Sequence, residues 1–162
     1  MEMIKPQYAE ESEMSVLSSC LRSLDDAIFF SSELDEDCFY PSKNRALFAA
    51  IRKTIEDEGK LDIGCVYAKV KDAKKDDICK AAYVSHVMNH PIAVNRVFHV
   101  QMLQEKKAVR QALLISQDAV TKFQCCNGDF ENVLSCVKES LLSVEVGCEQ
   151  KRRDSVSMER LM

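Results

Sequence analysis

Two histidines, His86 and His90, stand four residues apart, the spacing that places two imidazoles on one helix face as metal ligands. Val87, Met88 and Asn89 lie between them, so the glutamate base of a zinc-protease helix is missing. Pro91 ends the helix that would carry the pair, and both read as polar residues near a helix end. Eight cysteines occur: Cys20, Cys38, Cys65, Cys79, Cys125, Cys126, Cys136 and Cys148. No two have the Cys-x-x-Cys spacing of zinc or redox sites. Cys125 and Cys126, with Cys136 and Cys148, are the one grouping that could gather a metal or form a redox switch. Adjacent cysteines chelate one ion poorly, and cysteine is a common small core residue, so core or incidental thiols are expected. Cys79 has a basic sequence neighbour, Lys80, which is weak support for an activated thiol.

A nucleotide-binding loop is excluded on spacing. A loop that cradles phosphates needs glycines five apart before Lys-Ser/Thr; Gly59-Lys60 is followed by Leu61 and has no such glycine before it. The acidic groups Asp25-Asp26, Asp35-Glu36-Asp37, Glu56-Asp57-Glu58 and Asp76-Asp77 read as helix caps and solvated faces. No nucleophile-elbow sequence occurs. The residues therefore support no enzyme site, no resident metal and no cofactor within the chain.

Charge narrows the partners. Lys and Arg number 22 against 26 Asp and Glu in 162 residues, a net of −4, which argues against tight, purely electrostatic nucleic-acid binding. The basic clusters at Lys69–Lys75, at Lys106-Lys107 with Arg110 and at Lys151-Arg152-Arg153 carry no interleaved aromatics and read as solvated surface, with at most weak DNA contact. No apolar run approaches the roughly 20 residues that span a bilayer. No apolar leader follows Met1, so a cytoplasmic protein with reduced thiols and no membrane partner is expected.

Few backbone breakers, 4 glycines and 3 prolines, leave room for long helices. Residues 1–10 read as a flexible tail. Met14, Val16, Leu17, Cys20, Leu21 and Leu24 recur at helical steps, predicting an amphipathic helix from Glu11 to about Leu24. A short helix over Asp25–Ser31 follows, then a connector over Leu34–Pro41, then a helix over Ser42–Glu58 stopped by Gly59. Asp62 can cap the next helix, Lys71–Asp77 reads as a loop, and Ile78–Met88 as a short helix. From Ile92 to about Cys125 no glycine or proline occurs, and one helix of that length would be about 50 Å long. Asn127-Gly128-Asp129 then turns the chain into a second helix carrying Phe130, Val133, Leu134, Val137, Leu141 and Val144. The expectation is an all-α protein, a small globular multi-helix head plus a long antiparallel hairpin at about 92–147, together one domain over 11–148. A hairpin cannot bury its own apolar stripe fully, and a helix that long exceeds a domain of this size, so self-association is expected. Residues 149–162 read as a charged linker and the start of a further helix, which suggests a piece of a longer polypeptide.

Three segments resemble a known family. Glu11-Ser-Glu-Met-Ser-Val-Leu-Ser-Ser-Cys-Leu21 is similar to the opening Glu-x-x-Val-Leu-Gly helix of the N-terminal domain of DnaB-type replicative DNA helicases. Asp37-Cys-Phe-Tyr-Pro-Ser-Lys-Asn-Arg-Ala-Leu-Phe48 resembles its Asp-Phe-Tyr…His-Arg…Ile-Phe block, and Gly59-Lys-Leu-Asp-Ile63 with Val66 its Gly-x-x-Ile-Asp…Val block. Tyr83-Val84, Pro91, Asn95, Phe98, Lys106 and Arg110 follow in the family's order. Ser18 replaces the usual glycine, Asn44 the usual histidine, and the Lys71–Ile78 stretch lacks the usual glycines, as in a divergent, phage or mobile-element member. The resemblance implies a non-catalytic all-helical domain whose hairpins pair between subunits. Dimers then build a collar on a hexameric ring that contacts primase or a loader. ATP and Mg²⁺ belong to the motor domain beyond the linker, not to this chain. The implied self-association stripe is Val109, Leu113, Val120 and Phe123 against Val133, Val137 and Leu141. Two alternatives stand beside it, a standalone regulator or adaptor binding a helicase or primase and a cysteine-based metal or redox module.

Overall fold

The computed structural model describes the backbone of residues 7–159 and the side chains of residues 7–144. Those residues are all-α: α1 (Glu10–Arg22), α2 (Leu24–Glu33), one 3-10 turn (Glu36–Cys38), α3 (Ser42–Glu58), α4 (Ile63–Asp72), α5 (Ala81–Met88), α6 (Arg96–Gln124) and α7 (Phe130–Glu159). They divide into two compact units, one ending at Lys107 and the other beginning at Ala108.

The first unit is organised around α1, an amphipathic helix as its periodicity predicts, but one whose polar face is covered as well. Every residue from Ser12 to Leu21 is buried. Ser12, Ser15, Ser18 and Ser19 are small enough to let neighbouring helices approach on the face opposite Met14, Leu17 and Leu21, and a helix hydrophobic or small all round belongs in a core. Helices α2, α3 and α5 pack on it. Phe30, Phe39, Phe48, Leu47 and Ile51 fill the space between, with the Phe39 and Phe48 ring centroids 4.6 Å apart. Each buried ring of that kind stabilises the fold by about 3–5 kcal/mol against alanine.

The helix ends follow local chemistry. The Ser23 hydroxyl accepts the Asp26 N–H at 3.3 Å and starts α2, a cap in place of the opening aspartates expected from sequence. Gly59 stops α3 at φ 63°, a left-handed conformation that costs a side-chain-bearing residue about 1–2 kcal/mol. Asp62 caps α4 by accepting the Cys65 N–H at 2.9 Å. Helix α4 extends to Asp72, past the expected loop start at Lys71, and α5 begins at Ala81 rather than Ile78. Helix α6 begins at Arg96, four residues later than expected, because Asn95 caps it through the Phe98 N–H at 3.1 Å.

Residues 7–9 are half-buried rather than a loose tail. The Tyr8 ring stacks on Tyr40 with centroids 5.2 Å apart, and the Gln7 side chain reaches Lys106 at 3.5 Å. Residues 1–6, the rest of the expected tail, lie outside the described residues, as do residues 160–162 of the expected linker. Helix α7 continues through 149–159, where a charged linker is expected.

In the second unit, α6 and α7 are joined by a turn with Gly128 at φ 94°. The Asp129 carbonyl accepts the Val133 N–H at 3.2 Å, and its carboxylate holds the Asn132 amide at 2.6 Å.

Candidate functional site

The hairpin carries two neighbouring stripes on each helix. On α6, Ala108, Ala112, Ile115 and Ala119 recur at three- and four-residue steps and are half-buried or, at Ala119, buried. On α7 the half-buried series is Val133, Val137, Ser140 and Val144. Their burial marks these two series as the seam side of each helix. The second stripe on α6 is Val109, Leu113, Val120 and Phe123. Val109, Val120 and Phe123 are 37%, 49% and 37% exposed, and Leu113 is half-buried. On α7 the matching stripe is Phe130, Leu134, Val137 and Leu141, with Phe130 and Leu141 exposed. The Phe123 and Phe130 centroids are 5.9 Å apart, so both stripes lie on one side of the hairpin at its turn. Antiparallel helices with stripes offset in the same sense from a shared seam keep them on that side along their length.

Of the residues expected at a self-association face, Val109, Val120, Phe123 and Leu141 are thus exposed on one apolar face. Leu113 borders the seam, and Val133 and Val137 belong to it. Phe130 and Leu134 join the face and were not among the expected residues. Their four- and three-residue steps to Val137 and Leu141 carry the signal. Leu114, 65% exposed, lies off the face. On the polar side, the Lys122 ammonium is 3.8 Å from the exposed Cys136 thiol.

The first unit holds a buried polar network. Glu13, 1% exposed, accepts the Tyr40 N–H at 3.0 Å and the Asn44 side-chain amide at 2.7 Å. Asn44 Oδ1 in turn accepts the Tyr83 hydroxyl, which also lies 3.3 Å from Met14 Sδ. Burial, then the charges of Cys79, Glu13 and Glu10, pushes the Tyr83 phenol above its ordinary range, so it stays a donor. A buried carboxylate is tolerated only with such partners. Two serines of α1 fix the chain leading into α6: the Ser18 hydroxyl donates to the His90 carbonyl at 2.7 Å, and Ser19 Oγ accepts the Ala93 N–H at 2.8 Å.

Several charges expected to be solvated are anchors of α6 within this unit. Asp26, nearly buried, pairs with Arg96, whose guanidinium lies over the Phe29 ring. Asp35 receives Lys107 Nζ at 2.7 and 2.8 Å, and the Gln104 amide donates to the Glu33 carbonyl at 3.0 Å. Burial opposes the Lys107 charge, but the hydrogen bond and charge of Asp35 outweigh it and raise the ammonium above its ordinary value.

The residues considered for metal or thiol chemistry are dispersed. His86 lies on α5, and His90, beyond its end, reaches Glu11 at 3.1 Å. Cys20, Cys38 and Cys79 are core residues, and burial, then the Asp26 charge, pushes the Cys20 thiol far above its ordinary range. Burial also raises Cys79, with Lys43 opposing it, so Lys80 confers no activation. Cys148 lies outside the described side chains. Among the described residues no group of three or more His, Cys, Asp or Glu could hold a metal, and no helix is long and apolar enough to cross a membrane.

Comparison with known proteins bears on this arrangement. No curated protein sequence matches. Among solved structures, the N-terminal domain of DnaB helicase from Mycobacterium tuberculosis superposes with a TM-score of 0.76 at 20% identity, covering 86% of this chain and 99% of that one. The fold is therefore shared. The model of the DnaB-like helicase N-terminal domain matches residues 5–105, which hold α1 to α5, the Glu13 network and the anchored start of α6. The chain belongs to the DnaB-like helicase N-terminal domain family.

Proposed function

We propose that this domain is a non-catalytic assembly element of a cytoplasmic replicative DNA helicase. Its hairpin pairs with a second copy, and the paired domains build a collar for a hexameric motor that would hold the ATP and Mg²⁺. The observation that carries the reading is the apolar face of Val109, Val120, Phe123, Phe130 and Leu141, exposed along both helices and joined at the turn. Contiguous exposed apolar surface of this kind marks an interaction site. Family membership supports primase or a helicase loader as the further partner.

Analytical ultracentrifugation from about 5 to 200 µM tests the pairing. A reversible dimer is expected. Val120→Asp with Phe123→Asp should leave a helical monomer, while Leu114→Asp, off the face, should leave the dimer intact. A monomer throughout that range, or an undiminished dimer in the double variant, would overturn the reading. The sedimentation result also separates the collar reading from a standalone adaptor, since the collar requires self-association and an adaptor does not.

A further inference from the structure

The first unit carries a second surface, unrelated to the hairpin and independent of the reading above. A groove of about 910 Å³ runs along the outer side of α3, walled by the end of α4 and the turn that follows it. Its floor is Ala46, Ala49 and Ala50, with Ala73 and Ile78 on the wall. From Ser42 to Glu56 the lined stretch of α3 is roughly 21 Å long, the length of a helix of about 14 residues.

The charges on its rim are uneven. Five basic and three acidic side chains line it, a surplus of cations on a chain whose net charge is −4. Arg52 is paired with Glu36, and Lys53 and Lys69 share the single carboxylate of Asp57. Arg45 and Lys75 make no ion pair among the described residues. The short Gly59–Asp62 connection turns α4 back along α3, and Lys43 is the charge felt by Cys79, so the segment holding Lys75 returns towards the start of α3. Arg45 and Lys75 therefore mark one end of the groove. Glu56 lies about 16 Å farther along α3 and marks the other. No aromatic side chain lines it, so bases would find nothing to stack on. An alanine floor admits the ridge of a packed helix, read through side chains at i, i+3, i+4 and i+7.

We infer that this groove docks an amphipathic helix of another protein that carries carboxylates at one end, against Arg45 and Lys75, and small apolar side chains along the floor. The probe is a labelled alanine–leucine helical peptide of about 14 residues with two glutamates at one end and two lysines at the other. Its control has lysines at both ends. The readout is fluorescence anisotropy on the full chain, with amide chemical shifts locating the site. The expected result is binding below about 1 mM with shifts centred on Ala46, Ala49 and Ile78. Arg45→Glu with Lys75→Glu should weaken it at least about fivefold, as should Ala49→Gln, which fills the floor without charge. Ala49 is half-buried on the solvent side of α3, and a preserved unfolding midpoint shows that either variant still folds. Absent shifts at these residues, equal affinity for the control peptide, or displacement of the probe by oligothymidylate would each overturn the inference.

Discussion

Asn44 is the residue on which the first unit's polar network turns. It donates to Glu13 and accepts from Tyr83, linking α1, α3 and α5 through one amide. Asn44→Ala leaves a buried carboxylate short of a donor and a phenol short of an acceptor, so it should lower unfolding free energy by about 2–4 kcal/mol in urea. A loss under about 0.5 kcal/mol would show that the network is not what holds the carboxylate inside. His99 gives a second expectation. Burial lowers its pKa in the folded state, and its Nδ1 has no hydrogen-bond partner among the described residues. The unfolded chain then binds the proton more readily, so stability is full above the ordinary histidine pKa and declines as pH falls below about 6.5. His99→Asn should flatten the fall in melting temperature between about pH 7 and 5; an unchanged slope would assign it elsewhere. Neither feature shows in periodicity. Glu13, Asn44 and Tyr83 all stand in the segments that resemble the family, yet their meeting requires side chains 31 and 39 residues apart to be aimed at one another, which spacing cannot report.

At the scale of the element, local signals served well where they act locally. Gly59 and Asp62 bound α3 and α4 as expected because a left-handed stop and a side-chain cap involve only their own neighbours. The start of α6 departs from the expectation because Ser18 and Ser19, 72 and 74 positions away, hold His90 and Ala93 out of the helix, so that Asn95 rather than Pro91 opens it. The burial of α1 was hidden for a related reason: serine counts as polar in a hydrophobic pattern and as small in a packed core. Ala119, buried on α6, has no room for a larger side chain, so Ala119→Leu should cost about 1–3 kcal/mol, seen as an earlier loss of helicity on heating. Gly59→Val, by contrast, should destabilise by about 1–2 kcal/mol through its backbone alone and leave self-association unchanged.

For the whole molecule, the two units differ in how much they bury. Among the described residues, all the buried apolar ones except Ala119 lie before Ala108. Amide exchange should accordingly be slow in α1 and α3 and fast near the hairpin turn in dilute protein. Protection of residues 109–141 should rise with concentration if the hairpin face is covered by a second copy. Protection there that ignores concentration would mean the hairpin is stable unassisted. The long-range bonds of α1 also set an order of events at the ribosome. Glu13 emerges early but its phenol-backed partner does not exist until Tyr83 is made, and Ser18 and Ser19 wait for His90 and Ala93. At roughly 5–20 residues per second, the nascent helix spends seconds with its carboxylate in water before those partners leave the exit tunnel. The hairpin, whose contacts at the turn join residues no more than 14 apart, has no such wait.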